Sequence, residues 1–288
     1  MIKVSWLQSN NTYKKVEGDF STVETVPVGI YNIGLSMSGW YLEKYADKFT
    51  FDYKIYGLQT EFCEHVLKTY KNTTGNFGIM LTGTKGTGKT VTAKILANYF
   101  NLPVIIVKDM EDSNQAMIEF LSGFNFDCVL FFDEFETLGK ERGDAHETGE
   151  IKRVVSSLLM QIDALPSYVV AIAATNHDTL LDKAAWRRFQ VKIEIPKPTR
   201  NNLEMYFEHF QEEREFDFGI LPSTLAKKTL GLSYAEAEEL ALEIYRQYVL
   251  NIPQDNPREI TNQVLKLWQT QKMINKEQKE ENVWQKDQ

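Results

Sequence analysis

Gly83, Gly86, Gly88, Lys89 and Thr90 stand in the stretch "LTGTKGTGKTVTAKIL", residues 81–96, and satisfy the pattern G-x-x-x-x-G-K-[ST]. Glycines tolerate the backbone angles needed to turn several N–H groups toward one anion, and a following helix N-terminus adds partial positive charge. The chemistry such a loop performs is the cradling of a polyphosphate. Gly83, Thr84, Lys85, Gly86, Thr87 and Gly88 supply the cradle, with Val91 behind them at the start of the helix. Lys89 would reach the outer phosphates and Thr90 would hold Mg²⁺. A glycine-rich turn that matches by chance is the alternative, and the position between an apolar run and a helical pattern favours the cradle.

A second group of residues could complete a reaction there. Asp133 and Glu134 follow the apolar run in "CVLFFDEFE", which puts them at the carboxyl end of a strand, where ligands of open α/β sheets bind. Asp133 would complete the Mg²⁺ site and Glu134 would orient or polarise an attacking water. Two acids opening a solvated loop are the alternative, and Glu136 is expected to face solvent. Asn176 ends "AATN" and would lie beside Glu134 if those two strands are neighbours; it could position the water, or simply form a turn. Arg187 and Arg188, in "LLDKAAWRRFQVKIEIPKP", have no local carboxylate partners. A cation supplied by a neighbouring subunit stabilises phosphoryl-transfer charge, whereas surface solubility explains the pair equally well on composition and spacing.

The elements that must hold these residues alternate. "FGIML" (77–81), "PVIIV" (103–107), "CVLFF" (128–132), "VVAIAA" (169–174) and "VKIEI" (191–195) read as strands. Helical spacing covers 89–100, the region of Ala116 to Leu121, and the stretch from Ile151 to Ile162. Strands this apolar, separated by helices, imply an α/β fold with a parallel sheet covered on both faces. Before it, residues 1–56 read as a small β-rich module through "IKVSWLQS", "VETVPVGIYNIGL", "SGWYLEKY" and "KFTFDYKIYG". After Pro196 and Pro198 the pattern is helical only. Thr199, the pair Ser233 and Glu236, and Asn256 with Pro257 supply helix starts, and Gly231 a stop. The expected boundaries are 1–56, 57–196, 197–274, and a disordered tail 275–288 with little to bury.

Whole-chain properties exclude several classes. The 288 residues are 43% hydrophobic, enough for a sizeable core, and the formal net charge of -8 argues against a broad nucleic-acid-binding surface. Two distant cysteines and four scattered histidines make no ligand cluster, so a reducing cytoplasm is expected. Apolar runs such as "YVVAIAA" are too short to span a bilayer, and no membrane role is expected.

Taken together, these residues resemble the AAA+ ATPases, and within them the AAA branch. The likeness rests on "GTKGTGKT" as Walker A, "VLFFDE" as Walker B, "AATN" as sensor 1 and "LDKAAWRRF" as the region of arginine fingers. "GEIKRVVSSLLMQIDAL" and "GLSYAEAEEL" are similar to the helix before the sensor strand and to the lid helix, so the likeness spans about residues 55–250. It implies a P-loop NTPase core with a helical lid, using ATP and Mg²⁺. It also implies a homo-oligomeric ring, commonly a hexamer, with active sites at subunit boundaries and a macromolecular client. By the same likeness Tyr56 and Gly57, in "IYGL", fall in the adenine-lining segment, Arg187 and Arg188 act in trans, and Ala235 stands where other branches carry a sensor 2 arginine. Two features depart from threading members: "KDMEDSN" (108–114) has no aromatic pore residue, and "GKERGDAHE" (139–147) matches a second pore loop no better than a solvated connection. The layout with "VPVGIYNIG" resembles AAA proteins of bacteria and their phages. A remodeller of protein is the expected activity; a DNA loader or motor, and a slow-turnover nucleotide switch, are the alternatives. A small nucleotide kinase fits the Asp-Glu pair and the C-terminal helices badly.

Overall fold

The structure, a computed structural model, describes residues 4–17, 25–37, 39–57, 60–72, 77–107, 119–133, 169–176, 187, 189–250 and 256–284. It divides into two compact units. The first comprises residues 1–84 and 88–196, the second residues 85–87 and 197–288.

Five strands of the first unit run parallel: β5 (Phe77–Thr82), β6 (Val104–Val107), β7 (Cys128–Phe132), β8 (Val169–Ala174) and β9 (Val191–Glu194). Every residue of β5, β7 and β8 is buried. Successive side chains point to opposite faces of a strand, so such a run needs cover on both sides. The two faces divide accordingly: Met80, Leu130, Phe132, Ala171 and Ala173 pack in one core cluster, and Ile79, Leu81, Val129, Phe131 and Ile172 in the other. Helices α1 (Thr60–Lys71) and α2 (Lys89–Phe100) contribute to the second cluster through Cys63 and Val66, and through Ala93, Leu96, Ala97 and Phe100.

Four N-terminal strands extend this sheet. They are β1 (Val4–Ser9), β2 (Thr12–Glu17), β3 (Ile30–Ser36) and β4 (Gly39–Ala46), antiparallel to one another. Among the described residues nine strands form one sheet in the order β1-β2-β4-β3-β6-β7-β8-β5-β9. β3 joins β6 in parallel, with Ile30 opposite Val104 and Asn32 opposite Ile106. Unpaired, β6 would present a row of open backbone groups; β3 satisfies them. The N-terminal strands therefore share the sheet of the α/β core rather than forming one of their own.

"KFTFDYKIYG" differs from the strand expected there, for residues 49–57 carry no strand pairing. Its backbone is satisfied by a side chain instead: Phe49 N–H donates to Asn98 Oδ1 at 3.0 Å, and Asn98 Nδ2 donates to Phe49 O at 2.8 Å. The Phe49 ring sits edge-on to Phe131, with centroids 6.2 Å apart. Aromatic content made the segment look like a strand, but Phe49 packs on the sheet while the segment does not join it.

In the second unit, α3 (Arg200–Arg214), α4 (Pro222–Lys228), α5 (Tyr234–Leu250) and α6 (Pro257–Trp284) enclose a core of Leu203, Phe207, Phe218, Leu240 and Ile244. The expected starts hold. Thr199 Oγ1 accepts from Asn202 N–H, Ser233 and Glu236 bond reciprocally, and Asn256 Oδ1 accepts from Arg258 N–H. Over 275–284, within the expected tail, the backbone continues α6 to Trp284. "NKEQKEENVW" has no Gly or Pro and is rich in Lys, Glu and Gln, residues of good helix propensity. Among the described residues no helix is long and apolar enough to cross a membrane.

Two outcomes follow from this packing. Phe207 is wholly buried, so Phe207→Ala is expected to destabilise the helical unit by about 3–5 kcal/mol in denaturant unfolding, whereas Leu267→Ala, at a side chain 64% exposed, should change it by under about 1 kcal/mol. Burial pushes the Cys63 thiol up to about 11 and raises Cys128 further. Below pH 10 both stay protonated, so neither is expected to react with a thiol reagent at pH 8 until the chain is denatured.

Candidate functional site

The parallel registers bring three strand ends to one level. Leu81 of β5 lies opposite Ala174 of β8, and Ala173 lies opposite Phe132 of β7. Continuing the ladder by one residue sets Asp133 level with Leu81 and Ala174, and the Thr175 N–H donates to Leu81 O at 3.0 Å. The glycine loop, Asp133 and Asn176 thus leave the same carboxyl edge on neighbouring strands, with β8 between β5 and β7. Asn176 is half-buried there. This edge is where open α/β sheets bind ligands.

The loop is shaped by its glycines. Gly83, Gly86 and Gly88 have φ of 140°, 78° and 97°, values that side-chain-bearing residues rarely adopt. α2 starts directly from Gly88, with no acidic residue in its first turn. A Cβ placed on Gly88 would meet no heavy atom within 4 Å, so the space before this helix start is open. The first N–H groups of α2 have no intrahelical acceptor, and together with the helix dipole they suit an anion.

Two side chains from that first turn complete the arrangement. Lys89 is only 6% exposed, and its Nζ donates to Gly83 O at 2.9 Å and to Thr84 O at 2.7 Å, which folds the ammonium back over the loop. Thr90 Oγ1 donates to Asp133 Oδ1 at 2.8 Å. A hydroxyl beside a carboxylate is an oxygen donor set of the kind hard divalent cations such as Mg²⁺ take. Glycine backbone, buried ammonium and helix start fit a polyphosphate; Thr90 and Asp133 fit its metal.

Among the remaining expected residues, Gly86 O accepts from Ala235 N–H at 3.2 Å. Val91 is half-buried on α2; Tyr56 is half-buried and Gly57 exposed, beyond the segment that Asn98 anchors. Arg187 is helical and exposed. Glu134, Arg188 and the two loops 108–114 and 139–147 lie outside the described residues. Sequence reasoning did not connect Ser233 and Ala235 to the glycine loop. The available signal was Gly86 itself, a third glycine in a loop whose pattern needs two.

Residues 79–197 match the family model described as "ATPase family associated with various cellular activities (AAA)". That segment is similar to an AAA ATPase domain. The chain also aligns with "Uncharacterized AAA family ATPase y4kL" of Sinorhizobium fredii, 32% identical over 180 residues, covering 60% of this chain and 54% of that protein. It aligns with "ATP-dependent zinc metalloprotease FtsH 1" of Salinibacter ruber, 31% identical over 186 residues, covering 58% of this chain and 26% of that protein. The match thus spans about half, or about a quarter, of these relatives' own lengths. A crystal structure of the FIGL-1 AAA domain in complex with ADP shares the fold, with a TM-score of 0.50 at 19% identity over 66% of this chain and 71% of that one.

Lys89→Ala is expected to weaken binding of a fluorescent ATP analogue about 10- to 100-fold, the loss of a charge-assisted contact. Thr90→Val should weaken it with Mg²⁺ present and much less with EDTA. Unchanged affinity in Lys89→Ala would refute the polyphosphate assignment.

Proposed function

We propose that this chain is an ATP hydrolase that assembles as a ring, with a hexamer favoured, and uses turnover to remodel a macromolecular client, protein rather than DNA. The observation that carries the hydrolase reading is the Thr90 hydroxyl 2.8 Å from the Asp133 carboxylate, at the mouth of a loop closed by the buried Lys89 ammonium. An anion-binding helix start and a hard-cation donor pair on one sheet edge form the combination that phosphoryl transfer from a Mg²⁺-nucleotide requires.

In this reading the backbone from Gly83 to Gly88 and the Lys89 ammonium hold the phosphates, while Thr90 and Asp133 hold Mg²⁺. Bound there, Mg²⁺ neutralises phosphate charge and orients the terminal phosphoryl group. Glu134 orients the attacking water, and Asn176 donates to it or to the terminal phosphate. Tyr56 and Gly57 border the adenine. Arg187 and Arg188 come from the adjacent subunit and stabilise the charge that develops on transfer. Residues 57–196 carry the nucleotide site and 197–274 the lid. The net charge of -8 and the FtsH relative, named an ATP-dependent metalloprotease, support a protein client.

Two variants test the scheme. Arg187→Ala should bind the ATP analogue like the wild type yet lose on the order of a thousandfold in ATPase rate; wild-type turnover would refute the trans-acting role. Glu134→Gln should retain ATP and hold its client in a pull-down. A discrete protein that survives nuclease treatment is the expected result, and nucleic acid in its place would assign the client to DNA.

A further inference from the structure

The chain enters β9 from the amino edge of the parallel sheet. β9 pairs with β5 from Val191, opposite Ile79, to Glu194, opposite Thr82. Gly78 lies one residue before the first of these pairs, in a strand buried along its whole length, where a backbone donor left open is costly. There a side chain does what the ladder does further on: the Gly78 N–H donates to Gln190 Oε1 at 2.5 Å. Gln190 is an exposed residue, so what it supplies is this contact and not core packing. The residue before it behaves differently. Phe189 is 2% exposed and lies in the core cluster that holds Met80, Phe132, Ala171 and Ala173. Two consecutive residues thus hold the chain in two ways, one by a ring in the core and one by an amide on the backbone of β5.

Arg187 stands two residues before Phe189, helical and exposed. The glycine loop leaves the opposite edge of the same sheet. Gly78 and Gly83 are five residues apart along β5, about 16 Å at the rise of a strand. A guanidinium carried to the amino edge is remote from the phosphate loop of its own chain, in agreement with a role at the site of another copy. Arginine loses much rotamer freedom when it is held, so the backbone beneath it must already be in place if the contact is to be accurate.

We propose that Gln190 is a positioning residue for Arg187. Its amide, bonded to the Gly78 N–H, and the Phe189 ring together lock the chain between Arg187 and β9, so that the guanidinium is presented at one place to the nucleotide of the adjacent subunit. The inference rests on the trans-acting role given to Arg187 above. Without the amide contact Phe189 still anchors the chain in the core, but the backbone can pivot about that ring. A displacement of about 1 Å in a reacting group can cost about a hundredfold in rate.

The test measures ATP turnover, affinity for a fluorescent ATP analogue with Mg²⁺, and the ligand-free melting temperature, on the full chain and its variants. Wild type should turn over ATP, and Arg187→Ala should bind the analogue yet turn over slowly. Gln190→Leu should bind within about twofold of wild type and turn over about tenfold or more slowly. Gln190→Glu, which keeps an acceptor oxygen at the same reach, should stay within about threefold of the wild-type rate. Introduced into Arg187→Ala, Gln190→Leu should slow turnover by no more than about twofold further, because the group it misplaces is already gone. A wild type without turnover, or Arg187→Ala at the wild-type rate, would overturn the reading of the site on which the inference rests. With Arg187→Ala slow, a wild-type rate in Gln190→Leu would overturn only the positioning role. So would an equal loss in Gln190→Glu, or a loss in the double variant that adds in full. Should Gln190→Leu fail to fold, Gln190→Asn, which shortens the reach by one methylene, takes its place in the same comparison with the same outcomes.

Discussion

The hydrogen bond from Thr90 to Asp133 joins a helix start that follows β5 to the end of β7, two strands that are not adjacent. It can form only if β8 lies between them in parallel register, with all three strands ending at one level. Parallel pairing cannot be made by a hairpin; each strand must return through a crossover, which puts helices on the faces and all carboxyl ends on one edge. The continuous burial of β5, β7 and β8 is the compositional cost of that arrangement, and the shared edge is what it yields to the site.

On that edge the glycines perform two separate tasks. Gly88 has a left-handed φ and open space before it, which leaves the start of α2 accessible to an anion. Gly86 has a left-handed φ and no space at all, because Ala235 and Ser233 close on it. One pattern of glycines in the sequence therefore answers two unlike constraints, conformational freedom at one position and close approach at the other.

The N-terminal strands and the helical unit show how cover is found for exposed backbone and apolar faces. β3 pairs with β6 and removes an open edge from the parallel sheet. The segment after β4 uses the Asn98 amide in place of a strand partner at Phe49. The helices of the second unit bury Phe207, Phe218 and Leu240 around a core of their own.

The sequence by itself determined the alternation of strands and helices, the helix starts at Thr199, Ser233 and Asn256, and the identity of the residues at the carboxyl edge. These depend on local periodicity, capping chemistry and glycine content, which act over a few residues and are legible there. The tertiary structure alone decided that β1 to β4 join the parallel sheet, that 49–57 is not a strand, and that the first turn of α5 touches Gly86. Each of these is a pairing between residues far apart in the chain, where several partners satisfy the same local pattern. Which one is chosen depends on which edge, face or orphan N–H the assembled fold leaves open, and that is a property of the packed molecule.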